Sequence, residues 1–286
     1  MKISDILNKN ERLLSFEVFP PKTDAAYDSI KEATEKIAAL SPAFMSVTYG
    51  AGGGTSRYTL EIAKNIEERY SVPTLAHLTC VSSTRETVRA RIADMRYMGI
   101  ENVMALRGDI PAEMHGTDRS SWHYRHAIEL VRELSEAGDF CIGGACYPEM
   151  HPESLNREED IAYLKEKADA GCAFLTTQMF FDNALFYDFL ERARGAGINL
   201  PVIPGVMPIT SKKQVERIIF LSGSHLPKEL LLLIEKYGDD APSMKNAGIE
   251  YATKQIDDIF KNGVNYAHVY SMNKLEVAEA IKKNLF

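Results

Sequence analysis

The sequence predicts a (β/α)8 TIM barrel: a single domain over residues 1–286, with extra helices between its seventh and eighth strands. Three observations lead there. Strand-like and helix-like segments alternate from one end to the other, eight such pairs can be counted, and 286 residues is a length that eight pairs fill. No linker or low-complexity tract divides the chain. A doubly wound open sheet carries the same alternation, and periodicity alone does not separate a closed sheet from an open one.

The first strand, 13–19, is an apolar run ended by Pro20-Pro21, which bring no N–H to a ladder. A helix follows over 25–40, where Ile30, Ala33, Ile37 and Leu40 recur at helical spacing. Strand 44–49 with helix 57–70 is the second pair, 74–79 with 84–98 the third, and 102–106 with 123–136 the fourth. The fifth is 140–147 with 157–170, the sixth 173–178 with 183–196, and the seventh 201–206 with helical sequence from 211 onward. The insertion 211–262 holds extra helices around a turn-rich break at Tyr237-Gly238-Asp239-Asp240-Ala241-Pro242. Within it, Leu230-Leu231-Leu232-Leu233-Ile234 reads either as core or as an interface. Strand 266–270 and helix 274–284 complete the eight.

Composition narrows the class. With 45% hydrophobic and 26% charged residues the chain has material for a large core, and a net charge of −7 opposes a broad nucleic-acid or anionic-membrane surface. Cys80, Cys141, Cys146 and Cys172 show no C-x-x-C spacing and read as reduced core residues. The N-terminus lacks the apolar stretch of a signal peptide, and no run approaches the ~20 residues that span a bilayer, so a cytoplasmic protein is expected.

In a barrel of this kind chemistry gathers at the C-terminal strand ends. There the sequence delivers Glu17, Thr48-Tyr49, His77 and Thr79, Arg107-Gly108-Asp109, Tyr147 with His151, Gln178, and Tyr270-Ser271-Met272-Asn273-Lys274. Each has a bland reading: His77 as a hydrogen-bonded core histidine, Gln178 as a strand-end cap, Arg107 and Asp109 as a surface pair. Seven strands carrying polar groups to one rim is the pattern of an active site. The glycine-rich stretch Gly50-Ala51-Gly52-Gly53-Gly54-Thr55 fails G-x-G-x-x-G at its sixth position, and there is no G-K-[ST] loop. It reads as a turn or as a close approach to a flat ligand. No H-x-H at a strand end and no H-E-x-x-H is present, so no metal ligand set is assigned. His115, His123 and His126 fall in or beside a loop, with His126 at a helix start facing the rim, and Trp122 reads as a packing anchor.

Blocks spread over almost the whole chain resemble the bacterial methylenetetrahydrofolate reductases. They are residues 16–22 (FEVFPPK), 46–52 (SVTYGAG), 77–80 (HLTC), 105–109 (ALRGD), 147–153 (YPEMHPE), 177–182 (TQMFFD) and 204–209 (PGVMPI). The resemblance implies a barrel with non-covalent FAD that passes hydride from NADH or NADPH to 5,10-methylenetetrahydrofolate, giving 5-methyltetrahydrofolate in one-carbon and methionine metabolism, with the two substrates taking turns. It implies catalytic roles for Glu17, as the acid that protonates folate nitrogen 10, and for Asp109, whose charge favours the iminium cation. A carboxyl shielded from water has its proton affinity raised, so Glu17 is expected to stay protonated near neutral pH. Carried over as FAD-binding are Thr48, Tyr49, Ala51, His77, Arg107, Gly108, Asp109, Ala127, Tyr147, His151, Ser154, Asp160 and Lys167. Glu17, Asp109, Gln178 and Lys274 are carried over as substrate-binding.

The sequence departs from the enterobacterial pattern at Tyr163 and Glu166, where those members carry Asn and Arg near the adenosine, and at Lys274, which replaces an Arg associated with folate. Lysine lacks arginine's bidentate fork. The chain ends soon after the eighth unit, so no regulatory domain and no inhibition by S-adenosylmethionine are expected. A homo-oligomer is expected, with a ferredoxin-linked partner subunit as the alternative electron source. The competing functional readings are a metal-dependent barrel hydrolase and a non-catalytic flavin- or pterin-binding subunit.

Overall fold

The computed structural model describes residues 1–9, 11–49, 56–111 and 114–286, without the side chains of Ser56 and residues 220–222. In chain order the elements are α1 (Ile3–Leu7), β1 (Leu13–Val18), α2 (Tyr27–Ala38), β2 (Met45–Val47), α3 (Ser56–Tyr70), β3 (Thr74–Thr79), α4 (Arg85–Tyr97), β4 (Asn102–Leu106) and α5 (Ala127–Ala137). Then come β5 (Cys141–Cys146), α6 (Arg157–Asp169), β6 (Phe174–Thr177), α7 (Asn183–Gly195), β7 (Val202–Ile203) and β8 (Gly205–Val206). The insertion helices α8 (Lys212–Ser222), α9 (Lys228–Tyr237) and α10 (Ala241–Lys261) precede β9 (Tyr266–Tyr270) and α11 (Leu275–Leu285).

β7 and β8 are the two halves of the predicted seventh strand, interrupted at Pro204. The ring closes through them: β7 pairs with β6, β8 with β9, and β9 with β1, all in parallel. This is a closed barrel and not the open sheet with the same alternation. Proline brings no N–H, but its carbonyl accepts from His268 N–H at 2.9 Å, so pairing with β9 continues across the break.

Period-two alternation sorts each strand's side chains. The outward set packs under the helices in one apolar cluster that runs from Leu14 to Ile281. The inward set at the strand beginnings, including Leu75, Met104, Cys141, Phe174 and Ile203, packs with Ile3, Ile6 and Leu7 of α1. Periodicity gives no signal for α1, because five residues are too few to show a period. It plugs the N-terminal end of the barrel, where buried Asn102 accepts from Ile3 N–H at 2.8 Å and donates to the carbonyls of Met1 and Thr74. Burying three aliphatic side chains this way contributes roughly 1.5–3 kcal/mol each. With that end filled, the mouth at the other end remains for polar groups.

Three expectations are adjusted. The fourth helix begins at Ala127 and not at 123, because His126 caps it in a box with Glu129, whose carboxylate accepts from His126 N–H at 2.7 Å. The anchor of the preceding loop is buried Tyr124, whose hydroxyl donates to Glu133 at 2.6 Å, whereas Trp122 is half-buried with the Arg119 guanidinium over its ring. In the insertion, Leu230 enters a core with Phe181, Ile209 and Met244, while Leu231 and Leu232 face outward. The four cysteines are free and buried. No helix among the described residues is long and apolar enough to cross a membrane.

Candidate active site

Above the apolar plug the inward positions turn polar. Register sets Glu17 beside Ser46 of β2 and Tyr270 of β9, and Ser15 beside His268. These side chains form a chain of contacts in the barrel. Ser15 Oγ lies 2.7 Å from His268 Nδ1, His268 Nε2 lies 3.0 Å from Ser46 Oγ, and Ser46 donates to Glu17 Oε2 at 3.3 Å. His77 Nε2 stands 3.7 Å from the same carboxylate oxygen. A hydroxyl has one proton, so a Ser46 that donates to Glu17 accepts from His268 Nε2–H. Ser15 Oγ, beside His268 Nδ1, also reaches the Ala267 carbonyl, to which it donates at 3.2 Å. Phe44 stacks on the His268 ring and Tyr270 meets it edge-on, which fixes the ring plane.

Glu17 is one-fifth exposed, at the mouth end of this chain of contacts. Burial is the largest single influence on it and raises its proton affinity. The His268 hydrogen bond, the field of His77 and His268 and the Ser46 hydroxyl together outweigh burial, so the carboxyl is held below its usual range. This corrects the expectation of a raised proton affinity: burial acts in the expected direction and its polar neighbours overturn it. His77 is pushed down to about 4 by burial, against the pull of Glu17. His268 was not singled out in the sequence, because it sits in YAHVY like a strand core residue and its serine partners lie 253 and 222 positions away.

A second group lies at the ends of β4 and β5. Arg107 is paired with Glu153, which Arg119 also contacts. Gly108 follows with φ +86°, and a Cβ on it would stand 2.9 Å from Thr79 Cβ, so the turn needs glycine. Tyr147 meets His151 edge-on with centroids 4.7 Å apart, and burial pushes its phenol up to about 12. Burial holds the His151 imidazole below its usual range, reinforced by the field of Arg107. Buried Asp160 shapes this turn, accepting from His151 N–H at 3.2 Å and Ser154 Oγ at 3.0 Å. Lys167 donates to the Ala145 carbonyl, and burial lowers its ammonium. Arg107, His151 and a buried ammonium held by a carbonyl form a donor set suited to an anionic group such as a diphosphate.

The remaining predicted positions spread around the rim. Thr48 is half-buried and its N–H donates to Val18 O at 3.0 Å, and half-buried Tyr49 packs on the main core. Ala127 opens α5, Asp109 is exposed, and Ala51 with the rest of the glycine-rich stretch lies outside the described residues. Gln178 turns its carbonyl onto its neighbour's N–H at 3.0 Å. Lys274 reaches Thr210 Oγ1 at 2.9 Å. Among the described residues, no three His, Cys, Asp or Glu side chains gather in a way that could hold a metal ion.

Comparison with known proteins agrees with this architecture. A protein from Clostridium thermocellum, described as binding two copies of 5-methyl-5,6,7,8-tetrahydrofolic acid, matches in fold with a TM-score of 0.68 at 16% identity, over 99% of this chain and 98% of its own. The tryptophan synthase α-subunit of Pyrococcus furiosus matches in fold with a TM-score of 0.55 at 12% identity, over 96% of each chain. In sequence, the chain is 35% identical to "Methylenetetrahydrofolate reductase (NADH) 1" of Arabidopsis thaliana over 99% of its length, and spans about half (50%) of that relative. It is also 35% identical to the 5,10-methylenetetrahydrofolate reductase of Salmonella typhimurium, over 94% of this chain and 88% of that one. With the family model for methylenetetrahydrofolate reductase matching residues 2–286, the chain belongs to the methylenetetrahydrofolate reductase family.

Proposed function

We propose that the protein reduces 5,10-methylenetetrahydrofolate to 5-methyltetrahydrofolate, with FAD as its bound cofactor and NADH or NADPH as the electron donor. One observation carries the reading: in a chain of this family, the carboxylate of Glu17 stands at the barrel mouth with its ionisation governed by a buried chain of hydroxyls and imidazoles. Bound FAD supplies a hydride carrier that the two substrates use in turn.

The chain's own residues fit such a group. Lys167 pairs with a backbone carbonyl and with no carboxylate among the described residues, so an anion beside it would relieve a buried cation. Arg107, paired with Glu153, would offer its guanidinium to the diphosphate, and Tyr147 and His151 present flat rings at the same end of the barrel. The Thr48, Tyr49, His77, Gly108, Ala127, Ser154 and Asp160 positions complete the proposed cofactor set, together with Ala51 and Asp109.

Glu17 is the proposed acid toward folate nitrogen 10. It is ionised in the ligand-free protein at neutral pH and must gain a proton before it can give one. Burial already pulls its affinity upward against the histidines. A ligand covering the mouth would remove the remaining fifth of its exposure and so raise the affinity of the carboxyl for the proton it has to give. Asp109, at the exposed rim, is the proposed second carboxylate, placed to favour a cationic form of the substrate. Gln178 and Lys274 are the proposed folate contacts.

The test is the visible spectrum of the purified protein, followed without oxygen by NADH and NADPH in separate samples and then by methylenetetrahydrofolate. A yellow band that one nucleotide bleaches and folate restores is the expected result. A protein that does not take up added FAD overturns the reading.

A further inference from the structure

We propose that Asn273 is a positioning residue for Glu17, acting through a two-point side-chain clip on the backbone of Phe19; the proposal rests on the role given to Glu17 above. β1 ends at Val18, and its ladder with β9 ends at the Glu17–Tyr270 pair. Pro20 and Pro21 bring no N–H with which to extend it. The backbone therefore leaves the sheet just after the side chain that has to be aimed.

The chain after β9 supplies the missing holds. Ser271, 1% exposed, donates its hydroxyl to the Glu17 carbonyl at 2.9 Å. Asn273 accepts from Phe19 N–H through Oδ1 at 2.9 Å and donates through Nδ2 to the Phe19 carbonyl at 3.0 Å. A side-chain amide carries donor and acceptor in the geometry of a peptide, so Asn273 does for Phe19 what a neighbouring strand would do. To bring it there, Met272 (φ 54°) and Asn273 (φ 56°) both take left-handed backbone, which asparagine tolerates and methionine disfavours. Two consecutive left-handed residues beside a rim carboxylate are strain kept where geometry is needed. The next residue, Lys274, reaches Thr210, so the same short loop ties the end of β1 to the entry of the insertion.

Asn273→Gly leaves the left-handed backbone available and removes both contacts, and Asn273→Asp keeps the acceptor and removes the donor. In the purified holoprotein the two half-reactions are measured separately without oxygen, with amide hydrogen exchange at Phe19 as the structural readout. In Asn273→Gly, Phe19 exchange accelerates, flavin bleaching by nicotinamide stays within about 2-fold, and folate-driven reoxidation slows about 10- to 100-fold, as expected when a reacting group loses its aim. Asn273→Asp falls between. Reoxidation at the parent rate, or an equal slowing of both half-reactions, overturns the proposal. If the parent protein is not reoxidised by folate, the role of Glu17 fails and takes the positioning role with it. If Glu17→Gln is blocked and Asn273→Gly is not, the clip alone is overturned.

Discussion

Glu17 and His77 stand 3.7 Å apart and are governed by opposing influences. The imidazole, pushed down to about 4 from an ordinary value near 6.5, is neutral in the folded protein across the range where the unfolded chain would hold a proton. Stability is therefore full above about pH 6.5 and falls as pH drops toward 4, by up to about 3 kcal/mol from this group. Glu17, held below its usual range, acts in the same direction, its contribution being lost as pH falls through its folded value. Denaturant unfolding at pH 7 and pH 4.5 measures the slope, and His77→Asn should flatten it; equal slopes in the two proteins would rule out His77 as the cause. For the chemistry, Glu17→Gln should leave bleaching by nicotinamide intact while cutting reoxidation by folate by about 10²- to 10⁴-fold. Reoxidation at the parent rate removes the acid role. Glu17 was legible as a strand-end residue from its place before two prolines, but its charge state was not, since that depends on His268 and Ser46 brought in from other strands.

At the scale of elements, the insertion sits against the barrel through a close backbone approach. Gly248 lies within α10, and a Cβ there would stand 1.7 Å from the Ile209 carbonyl oxygen just beyond β8. No rotamer relieves a clash with backbone, so Gly248→Ala should displace α10 from the barrel. The expected cost is about 1–3 kcal/mol or more, read in a denaturant midpoint; an unchanged midpoint would show that helix and loop are free to move apart. The insertion's existence was legible from its length and turn-rich break, because both are local. Its docking was not, since a glycine within a helical pattern carries no mark of the chain it touches. α1 was missed for a related reason: five residues show no period, and its stability comes from the barrel it fills.

For the whole molecule, one apolar cluster reaches from Leu14 to Ile281. Ligand binding should register across it. With free FAD at about 100 times its dissociation constant, the stabilisation is about 2.7 kcal/mol, a rise of several degrees in Tm. Lys167→Met should abolish most of that rise without lowering the melting temperature of the ligand-free protein, because it removes a desolvated cation that, among the described residues, makes no carboxylate ion pair. A variant that keeps the full rise would take Lys167 out of the cofactor site.

The sequence by itself determined the alternation, the count of eight units and the strand ends at which Glu17, Arg107, His151 and Gln178 fall, because these follow from period, proline placement and order along the chain. It also carried the family, whose blocks are contiguous stretches at those same ends. Only the tertiary structure decided that the ring closes through a strand broken at Pro204, that α1 plugs one end, and that His268, Ser46 and His77 reach Glu17 and hold it ionised. The reason is common to all three: closure, burial and proton affinity are properties of groups that meet across the barrel, and residues more than 200 positions apart leave no local pattern of their meeting.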